Sequence, residues 1–196
     1  MKVLFALASY FLGSIPTGYL LVRAADRRDI RDFGSGATGA TNVLRVKGLK
    51  FALPVMVVDV LKGFLPAFLG LRFFHDPSLA ALAGLLAVAG HCFPFAIGFR
   101  GGKGMATSLG VFAALAFPLA LASVGVFALT VAVTRYVSLG SILGVLAFPL
   151  FTLVTRGPGG IFPWGLALSA LVIFKHAGNI RRLLSGGERK IGEKKL

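Results

Sequence analysis

The sequence predicts an all-α integral membrane protein, a bundle of seven transmembrane helices with its N-terminus outside and its C-terminus in the cytoplasm. Composition, the lengths of the apolar runs and the placement of basic residues carry that expectation. Of 196 residues, 56% are hydrophobic, 18 are Phe and seven are acidic, and the mean hydropathy is +0.84. That is too apolar for an ordinary water-soluble domain. A hydrocarbon core of roughly 30 Å needs about 20 apolar residues per helix. Runs of that order cover 3–22, 51–74, 78–98, 105–134, 138–155 and 161–176. Cys92 is the single cysteine, so no intramolecular disulfide forms and cysteine usage does not report a compartment.

The first run follows Lys2 in the manner of a signal peptide. "ALA" at 6–8 comes too early for a cleavage site, however, and the apolar stretch continues to Val22, so a retained span is expected. Runs 51–74 and 78–98 read as single spans joined by "HDP", and 138–155 and 161–176 as single spans joined by "TRGPGG". The run 105–134 is ambiguous, because 30 residues of helix measure about 45 Å, long for one span and short for two. Pro118 is the residue best suited to interrupt it. With a turn near Phe117-Pro118, 17 Lys and Arg fall on one face, and only Lys2, Arg72 and Arg156 on the other. A single helix from 105 to 134 turns that split into 10 against 10. The excess of Lys and Arg on cytoplasmic loops therefore selects seven spans. The net charge of +14 is then explained by those loops, and no RNA- or DNA-binding signature accompanies it, so no nucleic-acid partner is expected.

The chain is thus one membrane domain, 1–196, with the motif loops 23–50, 99–104 and 135–141 and the tail 177–196 on the cytoplasmic face. These segments hold most of the Gly, Ser, Thr, Asn and basic residues outside the spans, and their convergence on one side of a small bundle marks a site. The tail from Ser185 to Leu196 is expected to be disordered or to lie on the lipid surface.

"GSGATGATN", residues 34–42, satisfies G-x-G-x-x-G. A dinucleotide turn also needs a buried strand before the glycines and an acid about 20 residues beyond them. Here "VRAADRRDIRD" precedes, too charged for such a strand, and Asp59 lies within an apolar span. A Rossmann turn is excluded. The residues still suit an oxyanion: Gly34, Gly36 and Gly39 permit positive φ and inward-pointing amides, Ser35, Thr38, Thr41 and Asn42 add donors, and Arg45 supplies a fork matched to phosphate. A plain Gly/Ser/Thr linker stays open for this stretch alone. The second loop, in "GHCFPFAIGFRGGKGMATSLG" at 90–110, places Gly101, Gly102 and Gly104 around Lys103 and runs into a helix whose first turn holds Thr107 and Ser108. Helix N-termini attract anions. It is not a P-loop, which would require Gly at Ile97 and Ser or Thr at Gly104, so phosphate binding is expected without ATP hydrolysis. Ser138 and Ser141 in "RYVSLGSI", and His176 and Asn179 in "KHAGNIRRLLSGGERK", each share a helical face at i, i+3. Helix capping and attraction to anionic lipid are the plainer accounts of these last two stretches.

The combination is more specific than its parts. "GSGATGATN-x-x-R", "GH-x-FP-x-x-x-GF-x-GGKG-x-AT", "RYVSLGS" and "H-x-x-NI-x-RLL-x-G-x-E", with "FLGSIPTGYLL" at 11–21 and "DVLKGFLP" at 59–66, resemble the PlsY family of bacterial acyl-phosphate:glycerol 3-phosphate acyltransferases over nearly the whole chain. One position departs: the family usually has Asn where Ala37 stands, so 37 is left out of the expected site. The resemblance implies a multi-pass enzyme of the cell inner membrane that transfers a fatty acyl group from acyl phosphate to the 1-hydroxyl of sn-glycerol 3-phosphate. The products are lysophosphatidic acid and phosphate, and this is the first step of phospholipid synthesis. It implies an active site facing the cytoplasm, membrane lipids as surroundings, and no cofactor or metal; a monomer is expected. It places Ser35, Arg45, Lys103, His176 and Asn179 in catalysis, with Gly34, Gly36, Gly39, Thr41, Asn42, Gly101, Gly102, Gly104, Ser138 and Ser141 binding substrate, and Glu188 structural.

No soluble-type H-x-x-x-x-D dyad exists, since Ala80, Ala96 and Arg181 stand five residues after His75, His91 and His176. Direct transfer is expected, with a substrate phosphate oxygen taking the hydroxyl proton and His176 as the rival base. His91 is expected to serve a helix end or to brace the loop rather than to act as a catalyst. Asp59 and Lys62 lie three apart within an apolar run, where charges are costly unless paired. A mutual ion pair is the reading taken, with direct substrate contact as the alternative. A transporter of a phosphorylated lipid precursor would also use anion loops and buried charges. It would need polar groups through both halves of the bundle, and the outer half is nearly bare of them.

Overall fold

The computed structural model describes residues 1–193, so Lys194, Lys195 and Leu196 of the expected tail lie outside the described residues. All regular structure in them is helical: α1 (Lys2–Gly13), α2 (Thr17–Asp26), α3 (Ala40–Lys47), α4 (Leu49–Phe74), α5 (Pro77–Cys92), α6 (Met105–Thr134), α7 (Val137–Arg156), α8 (Phe162–Lys175) and α9 (Ala177–Leu184), with 3-10 turns at Ile30–Asp32 and Phe95–Ile97. Five segments are long and apolar enough to cross a membrane: Lys2–Asp26, Leu49–Phe74, Pro77–Ile97, Met105–Thr134 and Val137–Arg156. The shorter apolar Phe162–Lys175 is a sixth. The first apolar run is broken at Ser14 to Pro16 into α1 and α2. The loop 23–50 is less open than a linker, since it holds a 3-10 turn and α3.

Local chemistry sets the element ends. Asp76 caps α5 by accepting the Leu79 N–H at 3.0 Å, with Pro77 fixing the first helical φ. Asp76 also pairs with Lys2 at 2.8 Å, tying the start of α1 to the α4–α5 link. Between the helices, small residues let backbones meet, as expected where lipid offers no hydrophobic drive for association. A Cβ on Gly63 of α4 would collide with the Thr107 carbonyl of α6, and one on Gly110 of α6 with the Val60 carbonyl of α4. Around these contacts the core gathers Val111, Phe112, Val145, Phe148 and Val172, with the Phe112 and Phe148 rings stacked at 3.8 Å.

Helix α6 is not straight. Ala116 leaves helical geometry at φ −161° and ψ 80°, two residues before Pro118. Proline lacks the N–H for the i−4 carbonyl and its ring crowds that carbonyl. The consequence is geometric: Lys103 and Gly104 before α6, and Val137 and Ser138 after it, line one cavity. A straight 30-residue helix would hold its ends about 45 Å apart.

Candidate active site

The first loop is built by Asn42. From the first turns of α3 its Oδ1 accepts the Ser35 N–H at 2.8 Å, and its Nδ2 donates to the carbonyls of Phe33 and Ala37 at 3.0 and 2.9 Å and to Ile30 at 3.3 Å. Both sides of this buried amide are spent on the loop, so Asn42 shapes it and offers no spare donor. Gly34 and Gly36 take left-handed φ of 63° and 70°, as expected. Gly39 does not: it starts α3 at φ −75°, and space stands open where its Cβ would be. Thr38 is buried, whereas Arg45, one turn along α3, is exposed and makes no hydrogen bond or ion pair among the described residues.

The second loop leaves α5 at His91. Gly101 and Gly102 donate to the carbonyls of Cys92 and His91 at 3.3 and 3.1 Å, and a Cβ on Gly102 would strike the His91 ring. These glycines bind the loop to α5. Gly104 then turns with φ +84° into α6, whose N-terminus has no side-chain cap. Ser108 bonds back to the Gly104 carbonyl at 2.8 Å, and Thr107 is buried where α6 meets α4. What this turn offers an anion is therefore its unpaired first-turn amides. Lys103 reaches across to α9 and donates to Asn179 Oδ1 at 2.6 Å; Asn179 Nδ2 donates to Glu188 Oε1 at 2.7 Å, and Arg182 Nε to Glu188 Oε2 at 2.8 Å.

Two adjoining cavities result. The larger, about 320 Å³, is lined by the sequence-predicted Ser35, Gly39, Thr41, Asn42, Arg45, Lys103, Gly104, Ser138, Ser141, His176 and Asn179. It continues between α4, α6 and α7 along Val60, Leu109, Phe112, Val124, Phe127 and Val145. The smaller, about 280 Å³, shares Ser35, Arg45 and Glu188 with it and adds Gly34, Arg182, Gly187 and Arg189. Gly36, Gly101 and Gly102 line neither cavity. Ser138 Oγ is buried without a hydrogen-bond partner among the described residues. The compartment is amphipathic, with cations and amides at one end and an apolar channel at the other.

Three titratable residues that line the larger cavity, Asp59, His91 and Glu188, lay outside the predicted set. Asp59 pairs with Lys62 at 2.9 Å, and Lys62 Nζ also donates to the Ile15 carbonyl at the α1–α2 break at 2.9 Å. The ion pair is present, and Asp59 lines the larger cavity as well. His91 Nδ1 stands 3.6 Å from Asp59 while its ring carries the glycine loop. Glu188, expected to be structural, borders both cavities. The signals available were the depth of Asp59 in an apolar run and the position of His91 before "FP". The described part of the tail is held in place: Ile191 N donates to the Arg135 carbonyl at 2.9 Å and Arg135 Nη2 to the Ile191 carbonyl at 2.6 Å.

Burial pushes the Lys103 ammonium down to about 8, against the pull of Glu188. Burial likewise takes His176 down to about 4, although its Nδ1 is 2.8 Å from the Val172 carbonyl. A carbonyl only accepts, so Nδ1 carries the hydrogen and Nε2 is left as the acceptor of a neutral ring. Burial raises the Glu188 carboxyl, but hydrogen bonds led by Asn179 outweigh it and hold the group below the usual range.

Known proteins resemble the chain along nearly its whole length. The family model for glycerol-3-phosphate acyltransferase matches residues 3–186. The glycerol-3-phosphate acyltransferase of Thermoanaerobacter pseudethanolicus is 43% identical over 98% of this chain and 96% of its own length, and that of Brucella anthropi 45% identical over 94% and 90%. The crystal structure of PlsY (YgiH), an integral membrane glycerol 3-phosphate acyltransferase, superposes in its glycerol 3-phosphate form with a TM-score of 0.93 at 38% identity, covering 97% of this chain and 96% of that one. Its lysophosphatidic acid form superposes with a TM-score of 0.90. The chain is an all-helical membrane protein and an acyltransferase, and it belongs to the glycerol-3-phosphate acyltransferase family.

Proposed function

We propose that this acyltransferase moves a fatty acyl group from acyl phosphate to the 1-hydroxyl of sn-glycerol 3-phosphate, directly and on the cytoplasmic side of the inner membrane. The observation that carries the reading is the amphipathic compartment, where Lys103, Arg45 and the α6 amides stand at one end of an apolar channel. Two phosphates fit the two adjoining cavities, and a fatty chain fits the channel. The acceptor hydroxyl oxygen attacks the carbonyl carbon, the new ester bond forms, and the bond from that carbon to the phosphate oxygen breaks with its electron pair leaving on phosphate. Arg45 and Lys103 neutralise phosphate charge, and amides and hydroxyls such as Ser138 take up the charge developing on the carbonyl oxygen. Ser35, Ser141, Thr41, His176 and Asn179 orient the two substrates.

The hydroxyl proton passes to a substrate phosphate oxygen. The Val172 carbonyl takes the Nδ1 hydrogen of His176 at 2.8 Å, and the neutral ring orients the hydroxyl through Nε2. Direct transfer without a metal accords with a leaving phosphate that is already good.

Seven spans, with the N-terminus outside, follow from counting α6 as two half-helices. The break at Ala116, the shared cavity at both ends of α6 and the 17-to-3 division of Lys and Arg support that count.

The test is purified protein in detergent or lipid cubic phase with acyl phosphate and glycerol 3-phosphate, read by phosphate release and lysophosphatidic acid. Product is expected from the unmodified chain and none from Lys103→Ala. Folded protein that makes product from an acyl thioester and not from acyl phosphate would overturn the donor assignment. His176→Gln should keep turnover within about tenfold; a loss of about 10³ would make His176 the base.

A further inference from the structure

We propose that Arg31 is a positioning residue for the transfer, whose guanidinium ties the Ser35 loop to the turn that leads into Lys103 and so fixes the spacing of the two loops. The inference rests on the reading of Ser35, Arg45 and Lys103 as one site. The fork is divided between both loops. Nε and Nη2 hold the Asp29 carboxylate at 2.7 to 3.0 Å, while Nη1 donates to the Ile97 carbonyl at 2.7 Å. Asp29 also accepts the Arg31 backbone N–H at 2.9 Å, so the anchored end is locked to the 3-10 turn that leads into Gly34 and Ser35. The Tyr19 ring lies 5.2 Å from the guanidinium carbon.

The glycine loop needs this tie. Its base is bound to α5 through Gly101 and Gly102. Its tip reverses at Gly98 and Phe99, both left-handed at φ 69° and 60°, and a phenylalanine in that region is strained. The Ile97 carbonyl immediately precedes that reversal. Among the described residues, Arg31 makes the one side-chain hydrogen bond to residues 95–100. A lysine in its place has no planar fork to serve both partners at once.

The experiment measures kcat and KM with acyl phosphate and glycerol 3-phosphate for Arg31→Ala, Arg31→Lys and Asp29→Asn, with the exposed Arg28→Ala as control. Melting temperatures are recorded alongside. Arg31→Ala and Arg31→Lys should both lose about ten- to hundredfold in kcat, since a small misplacement of a positioned group costs that much. Asp29→Asn should lose less, and Arg28→Ala nothing. Combining Arg31→Ala with the charge-preserving Lys103→Arg should cost clearly less than the product of the single losses, because both displace the same cation. A residue that serves only the fold would lower the melting temperature and leave turnover per folded molecule intact. Turnover of Arg31→Ala within twofold of the unmodified chain, or strictly multiplicative losses, would sink the proposal. Full turnover by Lys103→Ala would instead remove the site reading beneath it.

Discussion

Lys103, held at about 8 by burial, is a cation at neutral pH that deprotonates readily once the pH rises. A bound phosphate dianion favours the charged ammonium, so glycerol 3-phosphate should bind best between the phosphate's second pKa of about 6 and the Lys103 value near 8. Above that, KM for glycerol 3-phosphate should rise about tenfold per pH unit, measurable by steady-state kinetics from pH 6 to 10. A Lys103→Arg variant should flatten the upper limb. Stability follows the opposite sign. The folded value lies below the unfolded 10.5, so between pH 8 and 10.5 the unfolded chain binds more protons and folding gains with pH. Substrate-free protein should therefore gain stability relative to Lys103→Met across that window, read as the difference in denaturation midpoint. At this scale the sequence was most informative where a residue type has one chemistry, as in Lys103 and Arg45, whereas Ser138 and Asn179 entered the expected site through the family resemblance; all four line the larger cavity. It was least informative where the amide or glycine serves the backbone. Asn42 is spent on the carbonyls of Ile30, Phe33 and Ala37, and Gly102 makes room for His91, and neither job is visible before the loops are folded.

The helices depend on small residues at a few crossings. Gly110 lies against the Val60 carbonyl of α4, whereas Gly125, on the second half of the same helix, has open space where its Cβ would be. Gly110→Leu should therefore prise α6 from α4 and abolish folded protein in size-exclusion profiles, while Gly125→Leu should leave both profile and turnover nearly unchanged. The buried pair makes a second test. Asp59→Asn leaves Lys62 with the Ile15 carbonyl alone, and an uncompensated buried charge costs about 3–5 kcal/mol. Joining it with Lys62→Met should restore much of the lost melting temperature. The apolar runs were legible in hydropathy, but the break in α6 was not legible in proline. Pro54, Pro66 and Pro149 all sit inside unbroken helices, whereas the chain leaves helical geometry near Pro118. Proline only weakens the hydrogen-bond ladder, and neighbouring helices decide whether it parts. The charge count singled out this proline because topology acts on all later loops together.

The whole molecule places its basic loops and its amphipathic compartment at one end, and that arrangement makes the topology testable without any substrate. Lys2 is held against Asp76, so the N-terminus shares a side with the α4–α5 link. Arg135 is bonded to Ile191 and Lys103 to Asn179, so the turns at both ends of α6 share a side with the tail. Were α6 one straight span, Lys103 and Ser138 would face opposite waters and could not border one cavity. The native Cys92 is fully buried, which leaves a chain nearly silent to thiol reagents. Single exposed substitutions then report each side: Ser78→Cys and Pro158→Cys should react with a membrane-impermeant maleimide on intact cells. Arg28→Cys, Arg100→Cys and Ser185→Cys should react only after permeabilisation. Labelling of positions 28 and 100 from opposite sides would separate the Ser35 and Lys103 loops by a bilayer, and the proposed transfer between substrates held by both could not take place.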